Sequence, residues 1–174
     1  VMNVFVAGGS GAIGIPLVRA LVAAGHSVAA LTRHESRAPH LRALGATPAV
    51  ADALDRDALI AAVERARPSH VIHQLTALPK DGPRRARDIE PTNRLRIEGT
   101  RNLLDAAVNA GVRRFLAGSF APLSPRGPWA PEDPPAAAVH SMETQVLDAT
   151  TRAAVEGVVL RYGPLYGPDT GMTS

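Results

Sequence analysis

The sequence predicts an α/β fold, a doubly wound parallel sheet with helices on both faces, and three observations carry that prediction. The apolar run Val4-Phe5-Val6 breaks into Ala7-Gly8-Gly9-Ser10-Gly11-Ala12-Ile13-Gly14 and continues as a helix over 13–24. Short β-branched runs then alternate with helical segments along the chain, the pattern of parallel strands joined by crossover helices. Third, 45% of the residues are hydrophobic and only 3% aromatic, so the core has to be packed with Ala, Val, Leu and Ile. At 174 residues the chain is read as one domain, 1–174, long enough to bury a core.

The glycine turn sets the functional expectation. Gly8, Gly11 and Gly14 fall three apart between a buried strand and a helix. Such a turn needs positive φ at one point, close backbone approach to a ligand at another and helix-sheet contact at a third, all of which glycine permits. The free N–H groups and positive dipole end of the helix suit a pyrophosphate. The segment therefore reads as a Rossmann-type dinucleotide-binding turn, with Gly8, Ser10, Gly11, Ala12, Ile13 and Gly14 as its contact positions.

Composition excludes several other classes. The net charge of +3 comes from scattered arginines, Lys80 being the only lysine, and no aromatic platform accompanies them, so a nucleic-acid partner is not expected. There is no cysteine, and the histidines at 26, 34, 40, 70, 73 and 140 lack metal-ligand spacing. No stretch approaches a membrane span or a secretion signal, so a cytoplasmic protein is expected.

Along the chain, Ser27–Leu31 reads as the second strand, ending at Thr32 and Arg33. An acid at that place would bind a ribose 2′-hydroxyl, whereas positive charge suits a 2′-phosphate, so NADP is expected in preference to NAD, with Arg37 a second candidate contact. A short helix over 36–44 and a third strand, Thr47–Ala51, lead to Asp52-Ala53-Leu54-Asp55, where Asp55 is placed to cap a helix over 56–66 closed by Pro68. Residues 69–75 form the fourth strand, followed by Thr76 and Ala77; His73 within it is expected to be a packed core residue. A loop over 79–88 carries Arg84, Arg85 and Arg87. A helix over 89–110 follows, then a fifth strand over 112–118, a proline-rich loop to Pro135 with Trp129, a helix over 136–151 and a sixth strand over 156–161.

Several segments resemble the extended and atypical short-chain dehydrogenase/reductases, the nucleotide-sugar epimerases and dehydratases. They are the three-apart glycines, Asp52-Ala53-Leu54-Asp55, Val71-Ile72-His73-Gln74-Leu75-Thr76-Ala77, the helix ending Gly99-Thr100-Arg101-Asn102-Leu103-Leu104, and Arg161-Tyr162-Gly163-Pro164-Leu165-Tyr166-Gly167-Pro168. The resemblance implies strand order 3-2-1-4-5-6 and an NAD(P)-dependent oxidoreductase or epimerase-like activity on a small metabolite. It places Asp52 and Ala53 at the adenine, and Leu75, Thr76 and Ala77 along the phosphates and ribose. Asn93 is expected to hold backbone near the reaction centre, Gly99 to let its helix approach the sheet, and Tyr162 to lie by the nicotinamide.

It also exposes departures. The family's serine run reads Gly118-Ser119-Phe120 here, placing Phe120 at the catalytic hydroxyl. Taking Glu143 as the family's glutamate puts Val139 at the lysine and Pro135 at the tyrosine of the Tyr-x-x-x-Lys pair, and no tyrosine in the chain precedes a lysine. Ser119 and Tyr166 are left as candidate proton donors. A non-catalytic NADP-binding sensor or scaffold is the alternative, and a homodimer through the helices over 89–110 and 136–151 is a further expectation. Relatives of this kind continue into a substrate lobe, which is expected to be absent or shortened here.

Overall fold

A computed structural model describes residues 1–79, 82–125, 129–130, 132–152 and 155–164. Six parallel strands form one sheet in the order β3-β2-β1-β4-β5-β6. They are β1 (Asn3–Ala7), β2 (Ser27–Thr32), β3 (Thr47–Val50), β4 (His70–His73), β5 (Arg114–Phe120) and β6 (Glu156–Tyr162). The expected order is found, and it puts the switch between β1 and β4, with Val4 opposite Val28 on one side and His70 on the other.

Strand alternation divides the core in two. Phe5, Ala7, Val71, Phe115 and Ala117 point to one face, where they pack with Leu59 and Val63 of α3 (Arg56–Ala66), Leu103 and Ala107 of α5 (Thr100–Asn109), and Met142 and Val146 of α6 (Pro134–Arg152). Val4, Val6, Val28 and Ala30 point to the other face, onto Val18 of α1 (Gly14–Ala23) and Leu41 of α2 (Ala38–Ala43). Among the described residues no helix covers that second face over β5 and β6, where Leu116 and Val158 stay half-buried and Leu160 is exposed. No described helix is long and apolar enough to cross a membrane.

Local chemistry explains most boundaries. Asp55 caps α3, its carboxylate accepting from the Ala58 N–H at 3.1 Å. That helix ends at Ala66, with Arg67 in a left-handed conformation at φ 45° directly before Pro68. The helix expected over 89–110 is α4 (Glu90–Arg94), a π-helical turn (Leu95–Gly99) and α5 in continuous succession. Gly99 lies in the π turn, and a Cβ there would meet the Leu95 side chain at 3.4 Å and Ala53 at 3.9 Å, ordinary contacts. Close approach to the sheet is therefore not the reason for that glycine. α6 begins at Pro134, two residues earlier than expected, since a proline in the first turn loses no helical hydrogen bond.

Candidate functional site

The glycine turn lies at the carboxyl end of β1, where ligands bind in open α/β sheets. Gly8 adopts φ +90°, and a Cβ on it would stand 2.6 Å from the Gln74 carbonyl oxygen, so both conformation and space require glycine. The chain folds back through a hydrogen bond from the Gly11 N–H to the Gly8 carbonyl at 3.0 Å. α1 then starts against the turn, since a Cβ on Gly14 would overlap the Gly8 carbonyl and lie 2.8 Å from Gly9 backbone. No side chain caps α1, and Gly11, Ala12 and Ile13 are exposed, leaving a cationic dipole end open at the sheet edge.

The rim around this turn is polar and basic. Thr32 ends β2 buried, and its hydroxyl is 3.4 Å from the Ser10 hydroxyl and 3.3 Å from the His34 N–H. Arg33 is exposed, with its Nε donating to His34 Nε2 at 3.0 Å. Arg37 donates to the Ser10 carbonyl at 3.0 Å, which draws a second guanidinium onto the turn itself. At the end of β3 the exposed Asp52 accepts from the Leu54 N–H at 2.9 Å, while Asn102 of α5 holds the Ala53 carbonyl at 3.0 Å.

The stretch after β4 is pinned from two sides. Gln74 N–H donates to the Ala7 carbonyl at 2.8 Å, and the Ala77 N–H donates to the buried Thr92 hydroxyl at 2.9 Å. Leu75 and Thr76 lie between these anchors, Leu75 half-buried and Thr76 exposed. Tyr162, in register with Phe120, accepts at its hydroxyl from Gln74 Nε2 at 2.9 Å. Gln74 was not singled out by sequence; a side chain at Gly118 would collide with it, so that glycine was the available signal. The expectation that Asn93 holds backbone is not met through its amide oxygen, which is buried without a hydrogen-bond partner.

Ser119 faces the opposite side from Phe120 and Tyr162, toward α6. Its buried hydroxyl donates to Glu143 Oε1 at 2.6 Å, and Arg161 completes the cluster with bonds of 3.0 and 2.8 Å to the two carboxylate oxygens. Burial pushes the Glu143 carboxyl up, but the hydrogen bonds from Arg161 and Ser119 and the guanidinium charge outweigh it, and its pKa falls below the usual carboxylate value. α6 carries neither tyrosine nor lysine. Tyr166, the other donor candidate, lies outside the described residues.

His73 is the packed core residue that sequence suggested. The Leu75 N–H donates to its Nδ1 at 3.2 Å, which leaves Nε2 to donate to the Thr100 hydroxyl at 2.9 Å. Its ring meets Phe115 edge-on at 6.2 Å. Burial, with a smaller contribution from the Arg96 charge, pushes its pKa down from 6.5 to about 4. Protonation would set two N–H groups against each other at Nδ1. Since the unfolded chain takes up this proton first, stability is full above pH 6.5 and declines between 6.5 and about 4. Between pH 7 and pH 4.5 wild type should lose about 2 kcal/mol more than His73→Gln, measured by urea unfolding. Equal losses would refute the assignment.

The described hollows at the opposite, amino end of the sheet, one lined by Asn3, Ser27, Thr47 and Arg65 and one by His70, Arg113, Arg114 and Glu156, lie away from this constellation.

The chain is similar to known proteins along almost its full length. The NAD dependent epimerase/dehydratase family matches residues 4–174. A curated relative, 3-diazoavenalumate denitrifying reductase of a Streptomyces species, is 48% identical over 185 aligned residues, covering 98% of this chain and 58% of the relative. Among solved structures, UDP-glucose 4-epimerase of Thermus thermophilus in complex with NAD superposes with TM-score 0.80 at 28% identity, covering 97% of this chain and 57% of the other. A short-chain dehydrogenase/reductase superfamily protein of Agrobacterium tumefaciens with bound NAD gives TM-score 0.73 at 27% identity, covering 91% and 48%. The chain thus spans about half the length of these relatives. With the glycine turn, the sheet order and this match together, the chain belongs to the NAD dependent epimerase/dehydratase family.

Proposed function

We propose that this chain forms the cofactor-binding part of an NADP(H)-dependent reductase whose substrate is a small diazo-bearing arene. The single observation that carries the reading is the reacting side of the site: α6 offers no tyrosine or lysine, and the Ser119 hydroxyl is already engaged by Glu143. Carbonyl reduction needs a proton as well as a hydride, and among the described residues neither α6 nor the engaged Ser119 hydroxyl offers a free donor. Replacing an arenediazonium group by hydrogen forms one C–H bond while the C–N electron pair leaves with N2, so it takes a hydride and no proton. A relative 48% identical is named a denitrifying reductase of a diazo compound, which supports that acceptor.

The residues present fit a dinucleotide. The open start of α1 and the turn at Gly8, Gly11 and Gly14 would hold the diphosphate, Asp52 the adenine, and Tyr162 with Gln74 the nicotinamide end. When bound, the reduced nicotinamide supplies a hydride. The NADP preference rests on Thr32, Arg33 and Arg37, which bring two guanidinium groups to the end of β2 and onto Ser10. A homodimer belongs to the same reading, with exposed Val108 on α5 and Leu147 on α6 as apolar surface for it.

The test is turnover of an arenediazonium with NADPH deuterated at C4. Deuterium should enter the arene, with one N2 released per NADPH, at least tenfold faster than without protein. No rate above the protein-free reaction, together with tight NADPH binding, would favour the sensor or scaffold reading, which the missing tyrosine and lysine also support.

A further inference from the structure

Arg96 stands apart from the other charged groups of this site. It lies in the π-helical turn Leu95–Gly99 and is half-buried, yet it has neither a hydrogen bond nor an ion pair among the described residues. Its neighbours Arg94 and Glu98 pair with each other at 2.9 Å, so the nearest carboxylate on its own helix is taken. Burial holds its pKa below the ordinary arginine value, and its charge reaches His73 at the carboxyl end of β4. A desolvated guanidinium with no counter-charge is costly, and one that keeps some solvent access is open to a ligand.

The surroundings have the same character. Asn93, one helical turn before Arg96, buries its amide oxygen without a partner. α4 and the π turn pack against α6, where His140 buries Nε2 without a partner. On the same helix Ala136, Ala138 and Val139 are fully buried, and His140 lies one turn before the buried Glu143, whose carboxylate is held by Arg161 and Ser119. The Gln145 side chain, bonded to the Ile97 carbonyl at 3.2 Å, fixes the two elements to each other. Arg96, Asn93 Oδ1 and His140 Nε2 are thus carried on two packed elements, each without a hydrogen-bond partner among the described residues.

We propose that Arg96 binds a carboxylate of the small-molecule substrate. The planar guanidinium matches a carboxylate in two parallel N–H···O bonds. The diphosphate of a dinucleotide is not its ligand, because the glycine turn that suits it lies against α1 on the other sheet face, whereas Arg96 lies on the α5 and α6 face. This inference rests on the reductase reading for there being a substrate at that place, and it adds to it a requirement for an anionic group.

The experiment is calorimetric titration of the chain with 4-hydroxycinnamate and with the neutral 4-hydroxycinnamamide, for wild type, Arg96→Met and Arg96→Lys, with NADPH titrated separately. The carboxylate should bind wild type at least tenfold more tightly than Arg96→Met, with Arg96→Lys between them. The amide should bind all three weakly and alike, and NADPH affinity should not change. The melting temperature of Arg96→Met should equal or exceed that of wild type, since an unpaired buried cation is removed; a structural arginine would lower it. Carboxylate binding that ignores Arg96, no carboxylate binding to wild type at 10 millimolar, or loss of NADPH affinity in Arg96→Met would each overturn the proposal. If NADPH fails to bind while the carboxylate still depends on Arg96, the reductase reading falls and the anion site stands.

Discussion

Arg161→Met is expected to destabilise the chain by about 3–5 kcal/mol, the cost of leaving a buried charge without its partner. The Glu143 side chain is 4% exposed, whereas Arg161 is 38% exposed, so the two halves of the pair are not equivalent. Removing the arginine strands the carboxylate, with only the Ser119 hydroxyl at 2.6 Å to hold it. The carboxyl then takes up a proton at higher pH, and the loss should shrink as pH falls. In wild type the depressed pKa of Glu143 gives stability that is present above its unfolded value and is lost as pH falls through the folded one. Adding Glu143→Met to Arg161→Met should restore much of the loss, because a buried pair replaced by apolar side chains is often neutral. Urea unfolding at pH 7 reads all three proteins, and a loss under 1 kcal/mol for Arg161→Met would contradict the account. A network of this kind makes Ser119 a structural donor first; freeing its hydroxyl for chemistry would cost the Glu143 bond.

Gly14→Ala should be strongly damaging to cofactor binding. The added carbon would overlap the Gly8 carbonyl and press on Gly9 at 2.8 Å, and both are backbone rather than flexible side chain. α1 would have to back away from the turn, carrying its open amino end with it. Dinucleotide affinity is expected to fall at least a hundredfold, with about 1–3 kcal/mol of overpacking cost to the fold. Gly163→Ala is the control, since nothing among the described residues lies within 4 Å of a Cβ there. Equal affinities in wild type and Gly14→Ala would show that the start of α1 does not contact the ligand.

What sequence could and could not reveal follows from the range of the interactions. The turn was legible because a helix starting against a strand needs glycine locally, and Asp55 was legible because an N-cap acts over three residues. Strand order followed from alternation and the family pattern. The Ser119-Glu143-Arg161 cluster was not legible, since it joins β5, α6 and β6 across 24 and 18 residues. Nor was the role of Gln74, which meets Tyr162 across 88 residues. Gly99 and Asn93 were read by their motif, and the π turn that carries the helix past them follows no simple 3.6-residue count. Arg96 was not singled out in the sequence, because only packing leaves it half-buried without a partner among the described residues.

On the proposed reading the turn at Gly8, Gly11 and Gly14 would take a dinucleotide whose 2′-phosphate meets Arg33 and Arg37. Calorimetric titration with NADPH and with NADH, on wild type and Arg33→Ala, tests it most directly. Micromolar NADPH binding, at least tenfold weaker NADH binding, and loss of that difference in Arg33→Ala are the predicted result. Equal or tighter binding of NADH would contradict the phosphate contact, and binding of neither nucleotide would contradict the site itself.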